Sequence, residues 1–522
     1  MLSVALGLGL ALVLAALGLR LAFFRAARLP RSKSQALPAS NDTALGAAAA
    51  AVPCDGNGHS GLIGLRDGLE AFATRIHLIR AAEVSLDLQY YLWQPDIAGY
   101  VVLDELRRAA ERGVRIRVLV DDIGAPELDG AFAALNTLPG VELRIFNPFV
   151  LRRVRLINLL LDFGRLNRRM HNKSLTADGA VCVIGGRNIG DAYFQGDAQR
   201  HFIDFDVLAA GPAAADVGAD FDRYWACSVA IPAEAMLRTP ADGLHRLTTE
   251  AARLRATAEA EPYLQALEDS SAASDLLSGC AQFHCAPVRL ISDPPEKAAG
   301  RAERRQLLIN RLDALLSRAR KEALLVSAYF IPGQTGLRAI EARLRRGVRL
   351  RVLTNGQQST DVTMVHCGYA RYRHRLLAAG VTLYELKAGE GLRKPTFGAR
   401  HRRRRRGLPG SSGTSLHSKT LVLDGRTLFV GSFNLDPRSK FLNTEMGFLI
   451  DSPGLASEVS AAIREDMADV AYELRLSARG HLQWVDPGME GSEVLHRAEP
   501  GTTWASRALV RLLGLLPIEW LL

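Results

Sequence analysis

Apolar residues run from Leu2 to Leu19 without a charge, and after Arg20 they resume through Leu21–Phe24. This first stretch is long enough to span, or nearly span, about 30 Å of hydrocarbon. Beyond it the apolar positions come in short blocks. Val84–Tyr91, Val114–Val120 and Val141–Phe146 read as strands, and so do Leu324–Phe330, Val348–Leu353 and Val381–Leu386. In each set a helical stretch ending in Arg-Gly separates the first strand from the second, and glycine suits a helix C-cap. Such strand–helix–strand units call for a largely parallel sheet. The unit is written twice. Arg112-Gly113-Val114-Arg115-Ile116-Arg117-Val118-Leu119 returns 234 residues later as Arg346-Gly347-Val348-Arg349-Leu350-Arg351-Val352-Leu353. The chain is therefore expected to be a duplicated α/β protein.

The expected divisions follow from these blocks. Residues 1–53 form an N-terminal anchor and a Ser-, Asn- and Ala-rich linker, and 54–234 the first half. The Ala-, Glu- and Leu-rich stretch lies in a helical connection, 235–290. Residues 291–522 form the second half, closing on an amphipathic helix from Arg507. A cleaved signal peptide would carry positive charge before its apolar run. Here Arg25, Arg28, Arg31 and Lys33 follow it, so the positive-inside rule places the body in the cytoplasm behind a retained anchor. A cleaved signal is the alternative.

Composition narrows the class. Of 522 residues, 48% are apolar and 23% charged, which excludes wholesale disorder. Six cysteines, none in a Cys-x-x-Cys pair, read as reduced thiols of a reducing compartment. Cys280, His284 and Cys285 lack the second ligand pair that a zinc site needs. The net charge of +10 favours anionic partners. Much of it is local, because eight Lys and Arg residues lie between Arg393 and Arg406 with no acid.

A second, sharper repeat carries the chemistry. His171 is followed by Lys173, Asp178 and Asn188, and His417 by Lys419, Asp424 and Asn434, at the same three offsets. The flanks read as strands, and Asp178-Gly179 and Asp424-Gly425 as hairpin turns. His and Lys two apart on a strand share a face, while Asp five positions further sits at the turn. Gly185-Gly186 and Gly431-Ser432 let backbone approach a ligand, and Asn188 and Asn434 return to the His/Lys end. Two imidazoles, two ammoniums and two amides suit a phosphodiester. Lys173, Lys419, Asn188 and Asn434 bind its oxygens, one histidine attacks phosphorus, and the other moves the proton. A metal site is disfavoured, because protonated lysine is no ligand.

The paired His-x-Lys-x-x-x-x-Asp motif with Gly185…Asn188 and Gly431…Asn434 resembles the signature of the phospholipase D superfamily. Met170-His171-Asn172-Lys173-Ser174, Gly185-Gly186-Arg187-Asn188-Ile189-Gly190-Asp191-Ala192-Tyr193-Phe194, Gly431-Ser432-Phe433-Asn434 and the terminal Leu515-Leu516-Pro517-Ile518-Glu519 are similar to bacterial C-type cardiolipin synthases. The resemblance runs from about Leu62 to the C-terminus. It implies two similar halves about a pseudo-two-fold axis, each a mixed, largely parallel sheet flanked by helices, with the site between them. It implies no metal and no cofactor. It counts His171, Lys173, Asp178, His417, Lys419 and Asp424 as catalytic, with His171 as nucleophile and His417 as acid and base. It also assigns Glu445 to orienting the histidine of its own half, and Asp204, or else Asp206, to the same task in the first half. The implied reaction transfers a phosphatidyl group to phosphatidylglycerol, with phosphatidylethanolamine as donor, at a bacterial inner membrane. Transfer to water is the alternative, and an accessory protein is left open.

Other features carry two readings. The Arg393–Arg406 run and the basic stretch Arg152, Arg153, Arg155, Arg165, Arg168 and Arg169 either hold anionic head groups or the membrane surface, or form solvated loops. The arginine run also raises a nucleic-acid-binding reading, which the N-terminal apolar segment and the lack of interleaved aromatics disfavour. The segment from Arg507 either lies in a lipid interface or packs on the body. Asp121 and Asp122 end a strand where ligands often bind. Tyr90 and Tyr329 either line the cleft or pack in the core.

Overall fold

The computed structural model describes residues 2–54, 58–125, 127–152, 154–194, 204–269, 271–387, 415–487 and 493–521. The Arg393–Arg406 run and Arg153 lie outside the described residues. Among the described residues the strands form two sheets, of nine and ten strands.

The duplication is visible strand by strand. In the first sheet Ser85–Leu92, Arg115–Gly124 and Val141–Phe146 run parallel. Ser174–Ala177, Val181–Gly185, Asp206–Ala210 and Ser60–Leu65 extend it antiparallel. The second sheet repeats this order with Glu322–Ser327, Arg349–Asn355 and Thr382–Leu386 parallel. Lys419–Leu423, Thr427–Gly431, Met446–Asp451 and Val288–Ser292 follow antiparallel. Helices Ile97–Glu111 and Gly333–Arg345 supply the crossovers, each leading into an Arg-Gly whose glycine has positive φ, 91° and 85°. The two sheets meet through one apolar core. Ile184, Val207 and Ala209 of the first pack with Leu428, Val430, Phe448 and Ile450 of the second. This places the two motif-bearing hairpins side by side.

Three expectations change. The stretch 30–53 is no loose linker but a strap on the first half. Asp222 accepts from the Ala36 N–H at 2.9 and 3.0 Å, and Arg117 and Arg144 donate to the carbonyls of Ser34 and Ser32. The connection 235–290 belongs largely to the first half. Its helices pack on Gly68–Ala81 and Ile97–Glu111, and His284–Ala286 pairs with Ser60–Leu62. The six-thiol reading is also overturned, because Cys54 and Cys285 form a disulfide with Cα atoms 5.4 Å apart. It ties the end of the strap to the edge strand, a pairing that no sequence spacing announces over 231 residues. Cys182, Cys227, Cys280 and Cys367 are free.

The N-terminal helix spans Leu2–Ala27. From Leu10 onward its apolar side chains are mostly exposed, while Leu19 and Phe23 are buried. The C-terminal helix starts earlier than its apolar pattern suggests, at Trp504, because Thr503 and Ser506 form a capping box. It ends at Leu513, ahead of Gly514 and Pro517.

Candidate active site

Each hairpin is fixed at its turn by an aspartate. Asp178 and Asp424 adopt φ of 50° and 51°, the left-handed conformation that a tight Asp-Gly turn requires. The Asp178 carboxylate accepts from the N–H groups of Glu83, Val84 and Ser85 at 2.8–3.0 Å. Asp424 does the same for Arg320, Lys321 and Glu322 at 2.7–2.9 Å. These carboxylates staple each hairpin to the start of the neighbouring strand, at the end remote from His and Lys. Asp178 and Asp424, counted with the catalytic residues by the resemblance, thus sit at the hairpin turns, where the Asp-Gly reading puts them.

At the other end the two halves exchange partners. His171 Nδ1 lies 2.8 Å from Oε2 of Glu445, and His417 Nδ1 lies 3.1 Å from Oδ2 of Asp204. Each carboxylate thus engages the histidine of the opposite half, not of its own as expected. The reason is topological. The chain following each hairpin returns along the interface between the sheets, and the carboxylates there face across it. Backbone bonds knit the crossing: Thr444 O accepts from His171 N, and Arg169 O from Thr444 N, both at 2.9 Å. Ser432 Oγ donates to the same Glu445 oxygen at 2.6 Å. The alternative acid, Asp206, is a core residue paired with Arg75 at 2.8 Å and Arg187 at 3.2 Å.

With Nδ1 engaged, Nε2 of each ring is the atom left for chemistry. Tyr91 packs edge-on against His171 and Tyr193 against His417, each at 4.9 Å between ring centroids. Lys173 Nζ donates to His171 O at 2.6 Å and stands 5.3 Å from the Tyr91 ring. Lys419 donates in the same way to His417 O. Asn188 Oδ1 accepts from Leu92 N at 3.1 Å, which leaves its Nδ2 buried without a partner among the described residues. Asn434 is buried in the corresponding place.

Burial and mutual repulsion govern the charges. Burial, followed by Lys419, pushes His417 down to about 4 against the pull of Asp204. Burial, then Lys173 and Lys419, hold His171 well below its ordinary value. Lys419 is lowered to about 8 by burial and Lys173 falls well below the usual lysine range for the same reason. Glu445 is raised to about 7 by burial. For Asp204 burial acts upward too, but the hydrogen bond and charge of His417, with Arg187 and Lys419, hold it well below the carboxylate range. A neutral imidazole is a competent nucleophile, and the convergent ammoniums form a charge set that an anion completes.

The other candidates sort into support. Asp121 pairs with Arg169 at 2.8 Å and accepts from Met170 N, which anchors the approach to His171. Asp122 holds Arg152 at 2.9 Å. Among the described residues of the basic stretch before His171, four are paired internally: Arg152 and Arg155 lie on Asp122 and Asp129, Arg165 on Asp162 and Arg169 on Asp121, while Arg168 donates to the Gly164 carbonyl. Tyr90 points into the core toward Arg75, and Tyr329 donates to Asp361. Tyr193, Ser432 and Arg438 stand within or beside the repeated motifs, but their placement beside the histidines, Arg438 acting on His171 through its charge, is set by the fold, as is that of Tyr91. Tyr91 lies on the strand Ser85–Leu92 and Tyr193 five residues after Asn188, and those positions are the signals that could have marked them.

Residues 76–225 and 312–467 match the family model described as cardiolipin synthase, PLD-like domain. The chain belongs to this family. It is 43% identical over 465 residues to cardiolipin synthase C of Escherichia coli strain K12, covering 89% of this chain and 97% of that protein. It is 26% identical over 386 residues to cardiolipin synthase B of the same strain, covering 74% and 75%. The crystal structure of a phosphatidylserine synthase from Haemophilus influenzae Rd KW20 shares the fold, with a TM-score of 0.52 at 16% identity over 80% of this chain and 90% of that one.

Proposed function

We propose that the protein is a phosphatidyltransferase that makes cardiolipin from phosphatidylglycerol and a second phospholipid, phosphatidylethanolamine. The observation that carries this reading is the crossed pair of dyads, His171–Glu445 and His417–Asp204, enclosing Lys173 and Lys419. His171 Nε2 attacks the donor phosphorus while Glu445 stabilises the positive charge that forms on the ring. His417 gives a proton to the departing ethanolamine oxygen. Binding the phosphate anion raises its proton affinity from the depressed value, so it can hold that proton in the complex. The phosphatidyl-histidine then meets the terminal hydroxyl of phosphatidylglycerol. His417 removes the hydroxyl proton, the new P–O bond forms, the P–N bond breaks, and cardiolipin leaves. Lys173, Lys419 and the Asn188 amide hold the non-bridging oxygens throughout.

The test is a product assay on detergent-solubilised protein with labelled phosphatidylglycerol, with and without phosphatidylethanolamine. Cardiolipin formed only with both lipids, with ethanolamine released, supports the exchange. Phosphatidic acid without cardiolipin means that water is the acceptor and the enzyme is a hydrolase.

The pH dependence follows from Lys419. Its ammonium is the useful form, and burial brings its pKa to about 8. Beyond the proton that His417 must take up, loss of the Lys419 ammonium is expected to steepen the fall of kcat/KM, which reports the free enzyme, as pH rises through about 8. Lys419→Arg carries a charge that does not titrate there, so its residual activity should lack that limb. An unchanged limb in the variant would assign the limb to another group, Lys173 being the other buried lysine of the site.

The N-terminal helix serves as the membrane anchor. For the side of the membrane, the basic residues after it favour the cytoplasm. One of them, however, is used by the body, Arg31 donating to Cys227 O, and Arg20 within the helix pairs with Asp162 at 3.4 Å. The Cys54–Cys285 bridge fits an oxidising compartment, and on that ground we place the body on the outer face of the cell membrane. Thiol labelling of denatured, unreduced protein taken from cells should count four cysteines, and six after reduction. Six without reduction would return the body to the cytoplasm.

A further inference from the structure

Two short segments of the body turn apolar side chains outward. In the helix Arg155–Leu161 the polar Asn158 is buried, with its amide satisfied by the Leu151 backbone at 2.9 Å in both directions. Leu156 and Leu160, one turn apart, face outward at 68% and 76% exposure. At the other end of the chain Leu512, Leu515 and Trp520 are exposed, Leu515 at 81%. Single exposed leucines are ordinary, but contiguous apolar faces on amphipathic segments are not.

The two segments meet at the site. The Arg438 guanidinium donates to Asn167 Oδ1 at 2.8 Å and Asn167 O at 2.9 Å, just past the first segment. It also reaches the Leu521 carbonyl at 3.5 Å, the end of the second. The charge of that same arginine acts on His171 and Tyr91. The anchor joins the first segment as well. Arg20 pairs with Asp162, and the Arg165 guanidinium lies 4.0 Å from the Phe23 ring centroid. Phe441 is exposed at the end of the helix that carries Arg438.

We infer that this face is a second membrane contact, in which the segment around Leu156 and Leu160 and the C-terminal segment around Leu512 to Trp520 seat in the lipid surface on either side of the entrance to the histidine pair. The occupant is a phospholipid leaflet. Continuity with the spanning helix argues for it, as do tryptophans at the ends of the C-terminal segment and the exposed Arg511 beside Leu512. Seated in this way, a lipid head group reaches the buried histidines while its acyl chains stay in the leaflet. The inference rests on the phosphatidyltransferase reading, to which it adds the route of the substrate.

The test uses the full chain in vesicles of phosphatidylethanolamine and phosphatidylglycerol with brominated acyl chains. Trp93, Trp225 and Trp484 are buried in the body, whereas Trp504 and Trp520 are exposed. Acyl bromines should quench a component of the emission that disappears in Trp504→Phe/Trp520→Phe. Equal quenching in both proteins overturns the inference, and so does protection of these tryptophans by self-association in lipid-free detergent. In parallel, Leu156→Glu/Leu160→Glu should lose at least tenfold in turnover of bilayer lipid and keep its turnover of short-chain lipids dispersed in detergent. Equal loss on both substrates, or loss on neither, counts against the inference. If wild type turns over neither substrate, the functional reading fails while the quenching result still decides the surface.

Discussion

Alanine at His171 is expected to lower turnover by about 10⁶-fold, the scale on which removal of a catalytic nucleophile acts. Alanine at His417 is expected to cost about 10²–10⁴-fold, the usual share of a general acid and base. The two differ because only one ring forms a bond to phosphorus. The other moves a proton, which water or a better leaving group can replace in part. A donor with an acidic leaving alcohol should therefore restore much of the activity of His417→Ala and none of that of His171→Ala. The exchange of these two behaviours would swap the roles and leave the mechanism standing, because the local environments are near mirror images. Substantial activity in both variants with the natural donor would exclude a two-histidine mechanism. Thermal unfolding controls for the buried position of both rings.

The second large effect tests the crossing. Glu445→Gln and Asp204→Asn keep the shape of each dyad but lose the charge that selects the Nδ1–H tautomer and stabilises imidazolium. A loss of about 10²–10⁴-fold in turnover is expected from each. Double-mutant cycles assign the partners. Glu445→Gln should add little to His171→Ala, because its partner is already gone, and should add its full effect to His417→Ala. Asp204→Asn should show the reverse. Coupling between Glu445 and His417 instead would place each acid with the histidine of its own half, contrary to the 2.8 and 3.1 Å pairs.

The sequence made the chemistry legible and the wiring less so. Repetition exposed the two sheets, because the Arg-Gly-Val strand and the His, Lys, Asp and Asn offsets recur intact. Asp178 and Asp424 could be read as turn residues from Asp-Gly alone, and their positive φ agrees. The crossing of Glu445 and Asp204 could not be read, since it depends on how two sheets face each other. Local spacing contains no information about that. Tyr91 escaped for a related reason: Tyr90 and Tyr91 are neighbours on one strand, and only packing tells which points to Arg75 and which to His171. The disulfide was invisible because its cysteines stand 231 residues apart. The strap over 30–53 looked like a linker because its bonds run through backbone groups, which composition does not register.

The most direct measurement of the central claim is to identify the covalent intermediate. Protein mixed with labelled phosphatidylethanolamine is quenched within a single turnover, digested, and mapped by mass spectrometry under conditions that preserve phosphohistidine. A phosphatidyl group is expected on the peptide bearing His171, absent from His171→Ala and retained in His417→Ala supplied with an activated donor. No adduct on either histidine, while cardiolipin still forms in the same mixture, would contradict it.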